Sequence, residues 1–554
     1  MVKLFKNTFT ILTRQQNNIL SAASVIMTAV ALSRILGLIR DRLLAARFTP
    51  NELGVYYAAF RLPNMIFELL VMGALATAFI PVFTTYVDTK GKEEAFKMAA
   101  IVINIGLILF GVLSIPILVF TKEVSFLLAP GFSQSQIELM AAFTRIMILA
   151  QVFPLIIGNF LTGILQSYRN FLIPSLAPVV YNLGIIIAII FLTPMLGLYA
   201  PVLGVVLGAI LFVLIQIPAV VSFGYRHRWN ITFSHPGARD IGKLMLPRAL
   251  GLAVSQIDTT IDLVLSSLLG AGAVTVFNFA QHLQQVPIGL FGASIAQATL
   301  PTLSSYYAQK NFDEYKKIFL SSFHQVLFLV IPLSIILIVL RIPMVRLVFG
   351  ASNLFDWNST VLTGRTLAYF SISLFAQAQV HLIARGFFAL HDSKTPVVVG
   401  AISVVINTLL SLLLILFYHF DVWSLALSAS VASIFNAVTL LYLLDRKIGH
   451  FNRYHLLVPG LKILLSGAVA GAGLYIPIKL LDQLVFDTTR TINLIILTGI
   501  STIVGLSVYL FLAWFLEVPQ VIILSKLFRR VKSIRQGVLI DTTQEVVNTN
   551  QTQI

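Results

Sequence analysis

The chain is a succession of long apolar runs separated by short polar connections. Runs of about 20 residues, the length that crosses a bilayer as a helix, fall at 20–47, 53–84, 97–121, 137–166, 173–194, 197–223, 241–269 and 273–307. They continue at 318–342, 360–389, 396–418, 422–444, 458–480 and 491–516. The pattern predicts about fourteen transmembrane helices with short loops. The runs are continuous, not alternating, and only helices or closed barrels satisfy the backbone in lipid. The expected fold is therefore all-α and polytopic. A basic tail follows with Lys526, Arg529, Arg530, Lys532 and Arg535, then a polar end from Asp541, read as partly disordered.

The connections alternate in charge. One side carries 26 Lys and Arg residues, among them Lys3, Lys90, Arg226, Lys310, Arg446 and the tail; the other carries six, Arg47, Lys122, Arg341, Arg346, Lys479 and Arg490. By the positive-inside rule both termini are cytoplasmic and the helix count is even. Composition agrees: of 554 residues 58% are hydrophobic and 11% charged, with a mean hydropathy of +0.91, which no soluble class matches. The net charge of +16 then reads as topology signal, with no call for a nucleic-acid partner. Cysteine is absent, so disulfides, thiol metal sites and thiol nucleophiles are excluded. The basic N-terminus lacks a small-residue cleavage site, so the first helix is expected to be retained.

An internal repeat divides the chain. Residues 54–97 match residues 274–317 at an offset of 220, pairing Pro81 with Pro301, Tyr86 with Tyr306, Lys90 with Lys310, Glu94 with Glu314 and Lys97 with Lys317. A weaker match sets Tyr168 to Pro174 against Leu390 to Pro396. The displacement is an even number of helices, so the halves share one orientation and form two six-helix lobes, with two helices added at the end. The expected divisions are 1–224, 225–448, 449–525 and the tail 526–554. Rocking-lobe transporters are built this way.

Charges at membrane depth mark candidate function, because each costs about 2.5–3.5 kcal/mol to insert. In the first run Arg34 and Asp41 lie seven apart on one helix face, with Arg40 beside them. They read as a cationic lining for an anionic substrate. In the second run Arg61 and Glu68 also share a face, and Pro63 between them should bend the helix. Glu68 and Asp258 are candidate gating residues. His282 stands at the repeat position of the Arg61 region and is a candidate cavity residue that could couple transport to protons. Ser255, Asp258 and Asp262 follow one another on the seventh run; two carboxylates one turn apart in lipid need a partner, a proton or a cation. Asp262 with Asn407 and Ser411 forms a candidate Na+ or H+ coupling site of oxygen ligands. No catalytic motif is present, and the loops are too short for a catalytic domain, so an enzyme is not expected.

The chain resembles the MurJ/MviN family, the lipid II flippases of the multidrug/oligosaccharidyl-lipid/polysaccharide exporter superfamily. The resemblance rests on Ser33-Arg34-Ile35-Leu36-Gly37 with Arg40-Asp41, Arg61-Leu62-Pro63-Asn64, Gly73 to Pro81, Ile173-Pro174 to Asn182, Val254 to Ile257, Leu300-Pro301 and Asp392 to Pro396. It covers nearly the whole chain. It implies fourteen helices, with a lipid-tail groove from the last two. It also implies transport of undecaprenyl-diphosphate-linked disaccharide-pentapeptide from the cytoplasmic to the periplasmic leaflet of the bacterial inner membrane. Arg34, Arg40 and Asp41 match the family's cavity residues, and Arg34→Ala is expected to abolish flipping. Phe67 and His282 stand where members commonly carry arginine, and Gly54 stands near a common acid. No cofactor is expected beyond Na+ or H+ as a coupling ion, and one chain supplies both lobes, so a monomer suffices. The alternatives are an exporter of another polyprenyl-linked glycan or a drug, and a non-transporting scaffold for cell-wall enzymes.

Overall fold

The structure is a computed structural model and describes residues 19–69, 78–350, 354–484 and 491–521. Every regular element among them is helical. Among the described residues ten helices are long and apolar enough to cross a membrane, or 11 when the broken pair Trp357–Ile372 and Leu374–Ala389 counts as one span. These correspond to predicted runs. The other three runs, 20–47, 53–84 and 241–269, carry Arg34, Arg40, Asp41, Arg61, Glu68, Asp258 and Asp262. Two of them form the helices Ile19–Arg47 (α1) and Pro236–Leu268 (α6). The third is divided into Pro50–Ala59 (α2), Arg61–Phe67 (α3) and, beyond residues 70–77 outside the described residues, Ile80–Lys90.

That division has a local cause. Thr49 caps α2, accepting from the Glu52 amide while Glu52 reaches back to the Thr49 amide. The helix stops at Phe60 because Pro63 has no N–H for the Ala59 carbonyl. The Thr144 hydroxyl donates to that carbonyl instead, at 3.2 Å. A side chain thus satisfies a backbone group that lipid could not.

The repeat is visible in local structure. The helices Lys92–Val119 (α4) and Phe312–Val339 are both 28 residues long and begin 220 residues apart. Arg169 and His391 both adopt left-handed backbone, at φ 58° and 57°. Around each, the next amide reaches back to a carbonyl in the preceding helix: Asn170 to Leu165 at 2.9 Å, Asp392 to Phe387 at 3.0 Å. Asn170 and Asp392 then cap the helices Leu172–Leu196 (α5) and Lys394–Leu412 (α8), accepting from the Ile173 and Thr395 amides.

The chain forms two compact units, one of Met1–Leu283, Met344–Tyr369 and Gly400–Ala432, the other of Gln284–Pro343, Phe370–Val399 and Ser433–Ile554. The partition differs from a break at 224/225: the first unit takes residues from both sides of it. The reason is specific bonding. Thr275, near the start of Ala271–Pro287 (α7), donates to the Pro50 carbonyl at 2.6 Å, and the Gly272 amide donates to Asn51 Oδ1 at 2.8 Å. A Cβ at Gly54 would lie 1.8 Å from the Ala271 carbonyl oxygen, so this contact demands glycine.

Lipid is as apolar as leucine, so packing rather than hydrophobic exclusion joins the helices. In the first unit α5 meets the helix Tyr199–Leu214 through Gly184 and Gly208, where a Cβ on Gly184 would reach 2.6 Å from the Gly208 Cα. A phenyl cluster of Phe79, Phe83 and Phe160 fills its core. The second unit has its own core around Tyr315, Phe319 and Phe387, with the Tyr315 hydroxyl donating to the Gly386 carbonyl at 2.8 Å. Its helices Arg453–Leu484 and Thr491–Phe515 contribute Ile463 and Tyr509 to a smaller cluster. Residues 526–554 lie outside the described residues.

Candidate functional site

The site lies within the first unit and is assembled around Asp41. This carboxylate is 3% exposed, yet it carries two donors. Arg40 folds back along α1, and its Nε and Nη2 donate to Asp41 Oδ1 at 3.0 and 2.8 Å. His282 on α7 donates from Nδ1 to Asp41 Oδ2 at 2.9 Å. The third guanidinium edge, Nη1 of Arg40, donates to Asn182 Oδ1 on α5 at 3.1 Å. Asn182 is itself fixed: its amide nitrogen reaches the Pro178 carbonyl at 3.1 Å and Ser33 Oγ at 3.3 Å. Charge-assisted bonds to a buried carboxylate are among the stronger ones available. The arrangement holds one cation whose counter-charge is internal.

A second network centres on Arg61. Its Nε donates to Thr260 Oγ1 at 2.9 Å, and its Nη2 donates to Gln256 Oε1 at 2.8 Å and to the Gln256 carbonyl. Gln256 in turn donates to Glu68 Oε2. The sequence places Arg61 and Glu68 on one face; in the structure Gln256 stands between them and carries the coupling. Gln256 and Thr260 are one turn apart on α6, so a single helix face receives the guanidinium.

The same helix presents Asp258 and Asp262 to α8. Asn407 Nδ2 donates to Asp258 Oδ1 at 3.0 Å and to Asp262 Oδ1 at 3.4 Å. Asn407 Oδ1 and Ser411 Oγ are buried and have no hydrogen-bond partner among the described residues. One amide thus serves two carboxylates, and two further oxygens, one on Asn407 and one a turn along α8, await a donor or a cation. Ser411 lies two residues before a π-helical stretch, Leu413–Phe417, a distortion common at functional positions. Ser255 is exposed and donates to the Leu252 carbonyl, apart from this group.

A cavity of about 230 Å³ connects the networks; Arg40, Arg61, Asp262 and His282 line it, together with Tyr57 and Gln281. It has room for a small polar group with water, not for a glycopeptide. Arg34 is exposed on α1 and is not among its lining residues. Sequence reasoning did not assign site roles to Gln256, Thr260 or Tyr57. The signal for the first two was present: polar residues four apart within an apolar run, facing the same way. Tyr57 gave none, because an aromatic in a membrane helix is ordinary; its ring meets the His282 ring edge-on at 6.0 Å.

Comparison with known proteins decides the family. The profile described as lipid II flippase MurJ matches residues 48–493. The chain belongs to this family. The lipid II flippase MurJ of Burkholderia cenocepacia is 29% identical over 71% of this chain and 78% of its own length. The probable lipid II flippase MurJ of Bdellovibrio bacteriovorus is 28% identical over 92% of this chain and 97% of its own. Among solved structures, a lipid II flippase MurJ in an inward closed conformation matches with a TM-score of 0.74 at 25% identity, covering 88% of this chain and 98% of that one. An inward-facing multidrug resistance MATE family transporter of the MOP superfamily matches with a TM-score of 0.64 at 17% identity, covering 76% and 98%; it shares the fold. With its apolar helices, family membership makes this a multi-pass inner-membrane protein.

Proposed function

We propose that this chain is a lipid II flippase that carries the polyprenyl-diphosphate precursor of peptidoglycan across the inner membrane by alternating access, without covalent chemistry. Family membership supports the substrate class. The observation that carries the mechanism is the Arg40–Asp41–His282 cluster on a polar cavity inside an apolar helical unit. A diphosphate requires cationic donors in a low-dielectric site, and a guanidinium fork suits it. Arg40 supplies that fork, Asp41 holds it oriented while the substrate is absent, and Arg34, exposed on α1 outside the cavity, adds a second cation six residues away. Arg61 and His282 complete the lining. Glu68, through Gln256, and Asp258 act as gates that hold α6 to its neighbours.

Asp258, Asp262, Asn407 and Ser411 would bind the coupling ion, Na+ or H+. The donor set fits a hard cation: two carboxylates, an amide oxygen and a hydroxyl, the last two buried without partners among the described residues. A bound cation supplies the counter-charge these carboxylates lack. The basic connections face the cytoplasm, and a monomer suffices because one chain carries both repeats.

The test is leaflet movement of labelled lipid II in flippase-depleted cells carrying this chain, Arg40→Ala or Arg34→Ala. The wild-type chain should restore movement, and each variant should lose it while inserting normally. Full activity of Arg40→Ala would overturn the mechanism. No movement from the wild-type chain, correctly inserted, would overturn the substrate. His282 and Phe67, where the family resemblance implies arginine, would then favour another polyprenyl-linked glycan.

A further inference from the structure

A second cavity in the first unit, of about 300 Å³, lies at the start of α4 and shares no lining residue with the cavity at Asp41. Its chemistry comes from Glu93, Glu94 and Lys97 on α4 and from Arg226 and Arg228 on the connection that precedes α6. This connection is irregular over 225–232 but firmly held. The fully buried Asn104 on α4 donates its amide hydrogens to the carbonyls of Arg228 and Asn230, at 3.1 and 3.0 Å. Tyr225 packs edge-on against Phe96 with ring centroids 5.6 Å apart, and its hydroxyl meets His227 Nδ1 at 2.9 Å.

Charges in the cavity divide into spent and free. Glu94 pairs with both Lys97 and His235, each at 3.4 Å. The Arg226 and Arg228 guanidinia and the Glu93 carboxylate have no partner among the described residues. Just beyond, Trp229, Ile231 and Phe233 alternate along the extended segment and are 78%, 51% and 64% exposed. Exposed apolar side chains next to free cations, beside the point where α4 turns from Lys92–Lys97 to its apolar stretch, are the signature of a membrane–water boundary.

We propose that this cavity seats the headgroup of a zwitterionic phospholipid, a phosphodiester bearing a primary ammonium as in phosphatidylethanolamine. Arg226 and Arg228 hold the phosphate, since each guanidinium offers a fork matched to phosphate oxygens. Glu93 accepts from the ammonium. Trp229, Ile231 and Phe233 lie against the acyl chains at the leaflet surface. A headgroup without an ammonium offers the Glu93 carboxylate no cationic donor, which favours the zwitterionic lipid. The lipid would fix the connection that leads into α6, the helix that carries Gln256, Asp258 and Asp262.

The experiment is native mass spectrometry of the purified full-length chain with phosphatidylethanolamine and phosphatidylglycerol at equal concentration. The wild-type protein should retain one phosphatidylethanolamine that phosphatidylglycerol does not displace. In Arg226→Gln/Arg228→Gln the occupancy should fall at least tenfold. In Glu93→Gln the two lipids should bind equally, a change of preference that a misfolded protein cannot mimic. Retention of the lipid by the double arginine variant, or equal binding of both lipids by the wild-type chain, would overturn the proposal. So would displacement by an equal concentration of soluble phosphoethanolamine, which would make this a site for a free metabolite.

Discussion

Two polar clusters within one unit solve the problem of charge in lipid in opposite ways. At Asp41 the account is closed: Arg40 and His282 occupy both oxygens of a carboxylate that is 3% exposed, and Asn182 takes the remaining arginine edge. At Asp258 and Asp262 it is open: two carboxylates share one amide of Asn407, while Asn407 Oδ1 and Ser411 Oγ have no partner among the described residues. Buried charge is tolerated only when compensated. The first cluster is therefore complete without a ligand and must open to take one. The second leaves like charges side by side and two oxygens unpartnered among the described residues, which is the ground for proposing a cation there. Asp262 lines the cavity as well, so the two conditions meet at one residue, and Arg61 on α3 lines the same cavity.

This contrast predicts an order of effects. The largest belongs to Asp41→Ala, which strands two donors in a low-dielectric site. Loss of one partner of a buried ion pair costs about 3–5 kcal/mol, so the variant should melt well below the wild-type protein in detergent. A melting temperature unchanged within error would show that the cluster is hydrated and the contrast false. Next comes Asp262→Asn. It should change stability little, since it relieves a like-charge neighbour, but it should cut cation-stimulated flipping roughly 10- to 100-fold, the loss typical of a damaged metal site. Cation dependence that survives in both Asp258→Asn and Asp262→Asn would place coupling elsewhere.

Gln256→Leu removes the bridge between Arg61 and Glu68 and should cost about 1–3 kcal/mol, the penalty for leaving buried polar groups unsatisfied. Restoration by Glu68→Gln in the same chain would confirm that the relay, rather than the volume of Gln256, is what matters. The smallest effect tests a carboxylate outside both clusters. Asp392 caps α8 through the Thr395 amide and hydroxyl and pairs with Lys447 at 2.5 Å. Partial burial opposes its ionisation, but the bonds from Lys447 and Thr395 outweigh burial and bring its pKa down to about 2. Its folded pKa lies below the ordinary carboxylate value, so its contribution is present above pH 4 or so and disappears as pH falls toward 2. Asp392→Ala should cost about 1 kcal/mol, as caps do, and leave cation dependence intact. A changed cation response would mean that α8 transmits more than position.

Much of this was legible in the chain itself. Apolar runs located the helices, because the bilayer fixes both their length and their composition. The repeat was readable down to single residues: the positions aligned as Arg169 and His391 both prove left-handed, and those aligned as Asn170 and Asp392 both cap helices. Charges at depth pointed to Arg40, Asp41, Arg61 and His282 because lipid makes each of them costly. The Asp262–Asn407 pairing was also readable from one-turn spacings on two separate runs.

What the sequence determined was the inventory: helices in lipid, a doubled architecture, and which residues are too polar to stand alone. Only tertiary structure decided who compensates whom. Periodicity sets the face on which a side chain lies, but not the length and bend by which it reaches another helix. So Arg61 meets Gln256 and Thr260 rather than Glu68, Arg34 stands outside the cavity, and α7 starts in the first unit because Gly54 lets the Ala271 carbonyl come close. Hydrogen bonds act over about 3 Å, and distances of that order between helices far apart in sequence exist only once the chain is packed.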